Sequence, residues 1–150
     1  MISDLESKLR SSPDPFKSEG ERRIAAYLDS CAVRYQYEQG VLVQDGGKPK
    51  IWHPDFYLPE FAVYLEYFGL AGNREYDLGV KRKIGIYRDM GMDVVPVYPW
   101  TFCDDWQGYI VRNLRMILQR RTTAFFAKEY SKNRSQGNYG RPGYGRPQRY

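Results

Sequence analysis

Asp55 and Glu66 are the residues whose type and spacing most invite chemistry in this 150-residue chain. They lie on two successive strand-like runs, with ten residues between them. If Glu60-Phe61 closes a tight hairpin after Pro59, facing residues have numbers that add to 121, and Asp55 stands directly opposite Glu66. Like charges opposed on neighbouring strands repel. A divalent cation removes the conflict, and Mg²⁺ or Mn²⁺ prefers oxygen donors of this kind. Alternation puts Trp52, Phe56, Leu58, Val63 and Leu65 on one face, with Tyr57 and Tyr64 beside the acids on the other. A strand face that is simply wet is the plain alternative for any single acid. Against it, Glu66 lies inside the apolar run Val63 to Phe68, where a lone carboxylate is costly.

The elements that must hold this pair are legible from periodicity. Ile2, Leu5 and Leu9 share one helical face before Ser11-Ser12-Pro13-Asp14-Pro15 breaks the chain, so residues 1–17 read as an N-terminal arm or short helix. A stronger helix starts at Ser18, where Glu21 completes a capping box and Ile24, Ala25 and Leu28 recur at helical spacing to about Ser30. Two strands follow, Arg34 to Val43 with a break near Gly40, and Ile51 to Leu58, joined by the turn Asp45-Gly46-Gly47-Lys48-Pro49. Phe61 to Phe68 is a third strand. Tyr76, Val80, Ile84 and Tyr87 make the inner stripe of a helix running to Met90 and stopped by Gly91. Val94 to Tyr98 is a fourth strand with one unpaired side, because Pro96 has no N–H to donate. A last helix spans about Asp104 to Lys128, with Trp106, Ile110, Leu114, Ile117 and Leu118 inward. The order predicts an α/β domain over residues 18–128, a mixed four-stranded sheet flanked by helices.

Other groups could join the acids. Lys83 sits at the edge of the inner stripe of the second helix, whereas Lys81 lies on its polar side, so only Lys83 can run its stem along apolar surface towards the sheet. An ordinary flank position on an amphipathic helix is the alternative for Lys83. Glu21 has capping as a sufficient reason to be there. Glu38 points either to the site or into water, and His53 is either packed or a substrate contact.

Taken together, Pro54-Asp55, Glu66 in Tyr64-Leu65-Glu66-Tyr67-Phe68-Gly69-Leu70, the preceding helix with Glu21 and the following helix with Lys83 resemble the PD-(D/E)XK nuclease superfamily. The similarity covers roughly residues 16–120, and the run from Tyr64 to Leu70 followed by a helix with Tyr and Lys is similar to small nucleases and helicase-linked nuclease domains of that group. It implies the restriction-endonuclease-like αβββαβ core. It also implies that Asp55 and Glu66 hold Mg²⁺ or Mn²⁺, with the Tyr67 carbonyl as a further ligand, that a lysine positions the attacking water, and that Glu21 assists a second ion. One position departs from the pattern: the family's lysine two residues after the second acid is Phe68 here. Either Lys83 has taken over from the following helix or catalysis is lost.

Composition narrows the function classes. Forty-two per cent hydrophobic residues and 24 aromatics suit a packed core. Two cysteines, Cys31 and Cys103, and one histidine cannot assemble a structural zinc site. No apolar run is long enough to span a membrane, and MISDLESKLR lacks the order of an export signal, so the expectation is an intracellular protein, cytoplasmic or nucleoid-associated.

The net charge of +5 is wholly terminal: without the five cations of residues 131–150, eighteen basic residues face eighteen acidic ones. Residues 129–150 read as a disordered low-complexity tail with Tyr-Gly-Arg-Pro twice, in which Arg141, Arg146 and Arg149 meet phosphate and Tyr139 and Tyr144 stack on bases. A linker or solubility role is the alternative for that tail. The expected function is a Mg²⁺-dependent deoxyribonuclease; the rival is a non-catalytic nucleic-acid-binding module on the same scaffold. DNA is the expected partner, with a homodimer or a helicase-type partner left open.

Overall fold

The computed structural model describes residues 14–135 of the chain. Most of the predicted N-terminal arm, and the tail residues Tyr139, Arg141, Tyr144, Arg146 and Arg149, lie outside the described residues. The chain runs through helix α1 (Glu19–Ser30), strands β1 (Gln36–Tyr37), β2 (Val41–Asp45), β3 (Lys48–Trp52), β4 (Phe56–Leu58) and β5 (Val63–Tyr67), helix α2 (Arg74–Asp89), strand β6 (Val94–Val97), a 3₁₀ turn (Pro99–Cys103) and helix α3 (Trp106–Ser135). It divides into two compact units, the first ending at Leu114 and the second beginning at Arg115.

The first unit is built on a mixed four-stranded sheet in the order β1-β4-β5-β6. β4 pairs antiparallel with both β1 and β5, and β5 pairs parallel with β6 through the α2 crossover. β6 is an edge strand, as Pro96 demands. The carbonyl of Pro96 accepts a hydrogen bond from the Tyr109 hydroxyl at 2.7 Å.

One face of the sheet carries Phe56, Leu58, Val63 and Leu65, each with no exposed surface. The Tyr67 side chain leaves β5 on this same face, and α1 packs there. A Cβ added to Gly20 would meet the Tyr67 ring at 2.4 Å, so only glycine permits the helix to come this close. α2 lies on the other face, where Val80 and Tyr87 are buried and where alternation directs Glu66.

Three boundaries differ from the sequence reading, each for a local reason. The expected strand Ile51 to Leu58 is two strands, because Pro54 cannot donate to a ladder and breaks it at His53-Pro54. β3 instead joins β2 in a separate hairpin, with Gly46 and Gly47 at φ 63° and 77° making its two-residue turn. Trp52, expected beside Phe56, therefore leaves that face and packs edge-on against Tyr87, with ring centroids 5.4 Å apart.

The loop between β4 and β5 is Pro59 to Ala62, four residues rather than two, closed by a bond from Phe61 N to the Leu58 carbonyl and by Ala62 at φ 52°. A four-residue loop centred on the same bond keeps the register: Phe56 faces Leu65, Tyr57 faces Tyr64 and Leu58 faces Val63. Finally, α3 continues past Lys128 to Ser135, since nothing between them breaks a helix. Residues 129–135, counted with the tail by composition, are thus helical. Of the residues expected inward on α3, Trp106 and Ile110 are buried, Leu114 and Ile117 half-buried, and Leu118 exposed.

Candidate active site

The hairpin β4–β5 brings the two acids together. Asp55 precedes β4 by one residue and continues its register opposite Glu66. Its Oδ2 accepts a hydrogen bond from the backbone N–H of Tyr67 at 2.6 Å, which fixes the carboxylate against β5. Glu66 is 4% exposed. Its two oxygens meet two residues of α2: Lys83 Nζ donates to Oε1, and the Tyr87 hydroxyl donates to Oε2 at 3.3 Å. The Asn73 side chain caps α2 by accepting from the N–H groups of Glu75 and Tyr76, setting the start of the helix that presents Lys83 and Tyr87.

Charge in this cluster is out of balance. Asp55 and Glu66 bring two potential negative charges against the single cation of Lys83. Burial first, and then the charge of Glu66, push the Asp55 carboxyl up to about 7, despite the bond from Tyr67 N–H. Burial also raises Glu66, opposed by the attraction and hydrogen bond of Lys83. The Tyr87 hydroxyl is raised by burial and by Glu66, so it remains a donor. Two adjoining carboxyl groups, one of them titrating near neutrality, are the electrostatic signature of a site that favours a proton or a cation.

Lys83 is on the side of α2 that the helical stripe indicated, whereas Lys81 is exposed. The Lys83 ammonium lies 5.7 Å from the Trp52 ring centroid, 5.9 Å from Phe68 and 5.8 Å from Tyr87. Phe68, the residue in the place of the family's lysine, is therefore the neighbour of the lysine that reaches Glu66 from α2. A cavity of about 220 Å³ opens beside Glu66 and Lys83, which line it with Phe68, Tyr76, Gly79 and Val80.

Glu21 is buried at the start of α1, and both its oxygens are engaged. Oε1 accepts from Ser18 Oγ at 2.8 Å; Oε2 accepts from Lys17 N at 2.9 Å and from the Tyr37 hydroxyl at 2.5 Å. Its own N–H donates to Ser18 Oγ. The capping reading of Glu21 thus has its full set of bonds, and Glu21 reaches the acids only through its field, which adds to the upward shift of Asp55. Glu38 pairs with Lys17. His53 is exposed, and its Nδ1 lies 2.9 Å from the Glu38 carbonyl, away from the role of a packed core residue.

Two contributors escaped the sequence reading. Tyr87 was visible only as part of an apolar stripe, although a tyrosine on such a stripe carries a hydroxyl that must find a buried partner. Asp45 was read as a turn residue; it is buried and joins Lys50 of β3 to Arg82 of α2, fastening the β2–β3 hairpin to the helix that carries Lys83.

Among the described residues, no group of three or more His, Cys, Asp or Glu side chains is arranged to hold a metal ion. The donors that remain for a cation are the carboxylates of Asp55 and Glu66 with main-chain carbonyl oxygen, a set of hard ligands next to uncompensated negative charge, which suits Mg²⁺ or Mn²⁺. No helix of the described residues is long and apolar enough to cross a membrane. Compared with protein-family models the chain matches none, and a search of curated proteins returns no match.

Proposed function

We propose that this chain is a metal-dependent phosphodiesterase that cleaves DNA, built on a restriction-endonuclease-like core of the PD-(D/E)XK kind. The observation that carries the reading is the Asp55–Glu66 pair, opposed across β4–β5, with Lys83 on Glu66 and the Asp55 carboxyl pushed up to about 7. In this reading Asp55 and Glu66, with the Tyr67 carbonyl, hold a Mg²⁺ or Mn²⁺ ion, which when bound neutralises phosphate charge and acidifies a coordinated water. The backbone N–H of Tyr67 keeps Asp55 aimed at the pair. Tyr87 holds the second oxygen of Glu66 and so fixes the orientation of that carboxylate. Lys83, whose ammonium donates to Glu66, would position the attacking water and neutralise charge on the scissile phosphate. Glu21 anchors α1 through its capping bonds and adds negative field at Asp55, where it would assist a second ion.

The rival reading, a binding module without catalysis, draws on one observation: Lys83 already neutralises Glu66, as a purely structural ion pair would. Cleavage of end-labelled single-stranded and duplex DNA, with Mg²⁺, Mn²⁺ or EDTA, separates the two. The phosphodiesterase reading expects metal-dependent products that vanish in Asp55→Ala and Glu66→Ala. Binding without products in any metal would establish the module instead.

A further inference from the structure

Phe68, Tyr98 and Trp100 form a ladder of rings that leads from the cavity at Glu66 and Lys83 to the surface. Phe68 lines the cavity beside Glu66 and Lys83. Tyr98 stacks on Phe68 with centroids 5.7 Å apart and planes 28° apart, and Trp100 stacks on Tyr98 at 4.9 Å with planes only 8° apart. Trp100 is nevertheless 56% exposed, a large apolar surface for a residue with so well-defined a neighbour. Tyr98 covers one face of the indole and leaves the other open.

The ladder is stiff. Pro99 fixes the backbone between the two rings at the start of the 3₁₀ turn, and the turn is closed in both directions: Tyr98 N donates to Thr101 Oγ1 at 3.1 Å, and Thr101 N donates to the Tyr98 carbonyl at 2.9 Å. A ring held in advance loses little rotamer freedom when something stacks on it.

We propose that Trp100 is a stacking platform for an unpaired nucleobase, so that the substrate is a nucleic acid with a single-stranded or opened segment beside the cleaved bond. This rests on the phosphodiesterase reading. A nucleobase fits because it is flat and extends the ladder by one more parallel ring, whatever its sequence. Within a duplex both faces of every base but those of the end pairs are covered by its neighbours in the stack, so away from the ends an unpaired base is what offers a face to the indole. The ladder starts at the cavity wall that holds Glu66 and Lys83, so the stacked base and the reacting phosphate belong to nearby nucleotides of one strand.

The test uses the full chain in EDTA, with short oligothymidylate and a blunt duplex as probes. Trp100→Ala should weaken oligothymidylate binding between about fivefold and a hundredfold, the range of one base–aromatic stack, and change duplex binding less than about twofold. Trp100→Phe should keep most of the affinity, and oligothymidylate should quench wild-type tryptophan fluorescence more than that of Trp100→Phe. The platform is overturned if wild type fails to bind oligothymidylate, if Trp100→Ala binds it as wild type does, or if both probes lose affinity alike. Cleavage with Mg²⁺ is scored separately: wild-type cleavage with a silent Trp100→Ala refutes only the platform, while stacking without cleavage refutes only the phosphodiesterase.

Discussion

Asp55→Asn removes the charge of a half-buried carboxyl while leaving an oxygen that can still accept the Tyr67 N–H, so it isolates the electrostatics of the acidic pair from its geometry. The Asp55 carboxyl stands at about 7 in the folded chain against an ordinary 3.8. The folded state therefore binds more protons than the unfolded state between these values. Stability from this group is greatest at low pH and is lost as pH rises through about 7. At ~1.4 kcal/mol per pH unit the cost is about 1.5 kcal/mol at pH 5 and about 4 kcal/mol at pH 8, so about 2.5 kcal/mol is lost between them. Glu66, raised by burial, acts in the same direction. For a domain of this size the loss corresponds to a fall in Tm of roughly 10 °C. Thermal melts in EDTA at pH 5, 6, 7 and 8 should show that fall in wild type, and Asp55→Asn should melt higher than wild type at pH 8 with a much flatter profile. A wild-type Tm that does not decline over this range, or an Asp55→Asn protein less stable than wild type at pH 8, would mean that the Asp55 carboxyl is not raised by its surroundings.

Further expected outcomes concern Lys83, Gly20 and the basic C-terminal segment. Lys83→Ala should lose cleavage rate by orders of magnitude while Lys81→Ala, whose side chain is exposed, stays active; gel assays of the two variants side by side decide it. Gly20→Ala forces a methyl group into the Tyr67 ring and should cost about 1–3 kcal/mol in urea unfolding, with a loss of cleavage if the shift reaches Asp55 through Tyr67. Removing residues 136–150 takes away Arg141, Arg146 and Arg149 and should lower the slope of log affinity against log salt by up to about 3, without changing the rate on bound DNA; an unchanged slope assigns the tail to linkage.

How much of this was legible in the sequence depended on whether a local rule or a tertiary contact decided each feature. The facing of Asp55 and Glu66 was readable because alternation and the centre of the turn determine register, and a loop of two or four residues about one centre gives the same pairs. The choice of Lys83 over Lys81 followed from helical period alone. Pro54 was visible, yet its consequence was missed: it cuts one strand into two and sends Trp52 to the Lys83 side. The bonds that engage Glu21 come from Lys17 and Ser18, at capping distance, and from Tyr37, sixteen residues away; only the first kind is a local signal. The ladder through Tyr98 and Trp100 was illegible for the same reason, since its first ring directly follows β5 and the others lie thirty residues on, after β6.

If Asp55 and Glu66 form one site for a divalent cation, titration of Mn²⁺ followed by electron paramagnetic resonance at pH 6 and pH 8 will show it, because the ion must displace the proton that Asp55 holds near neutrality. Wild type should bind one Mn²⁺ more tightly at pH 8 than at pH 6, with Mg²⁺ competing, and Asp55→Asn and Glu66→Gln should each abolish that site. Equal Mn²⁺ binding by wild type and both variants, or no binding by wild type at pH 8, would contradict it.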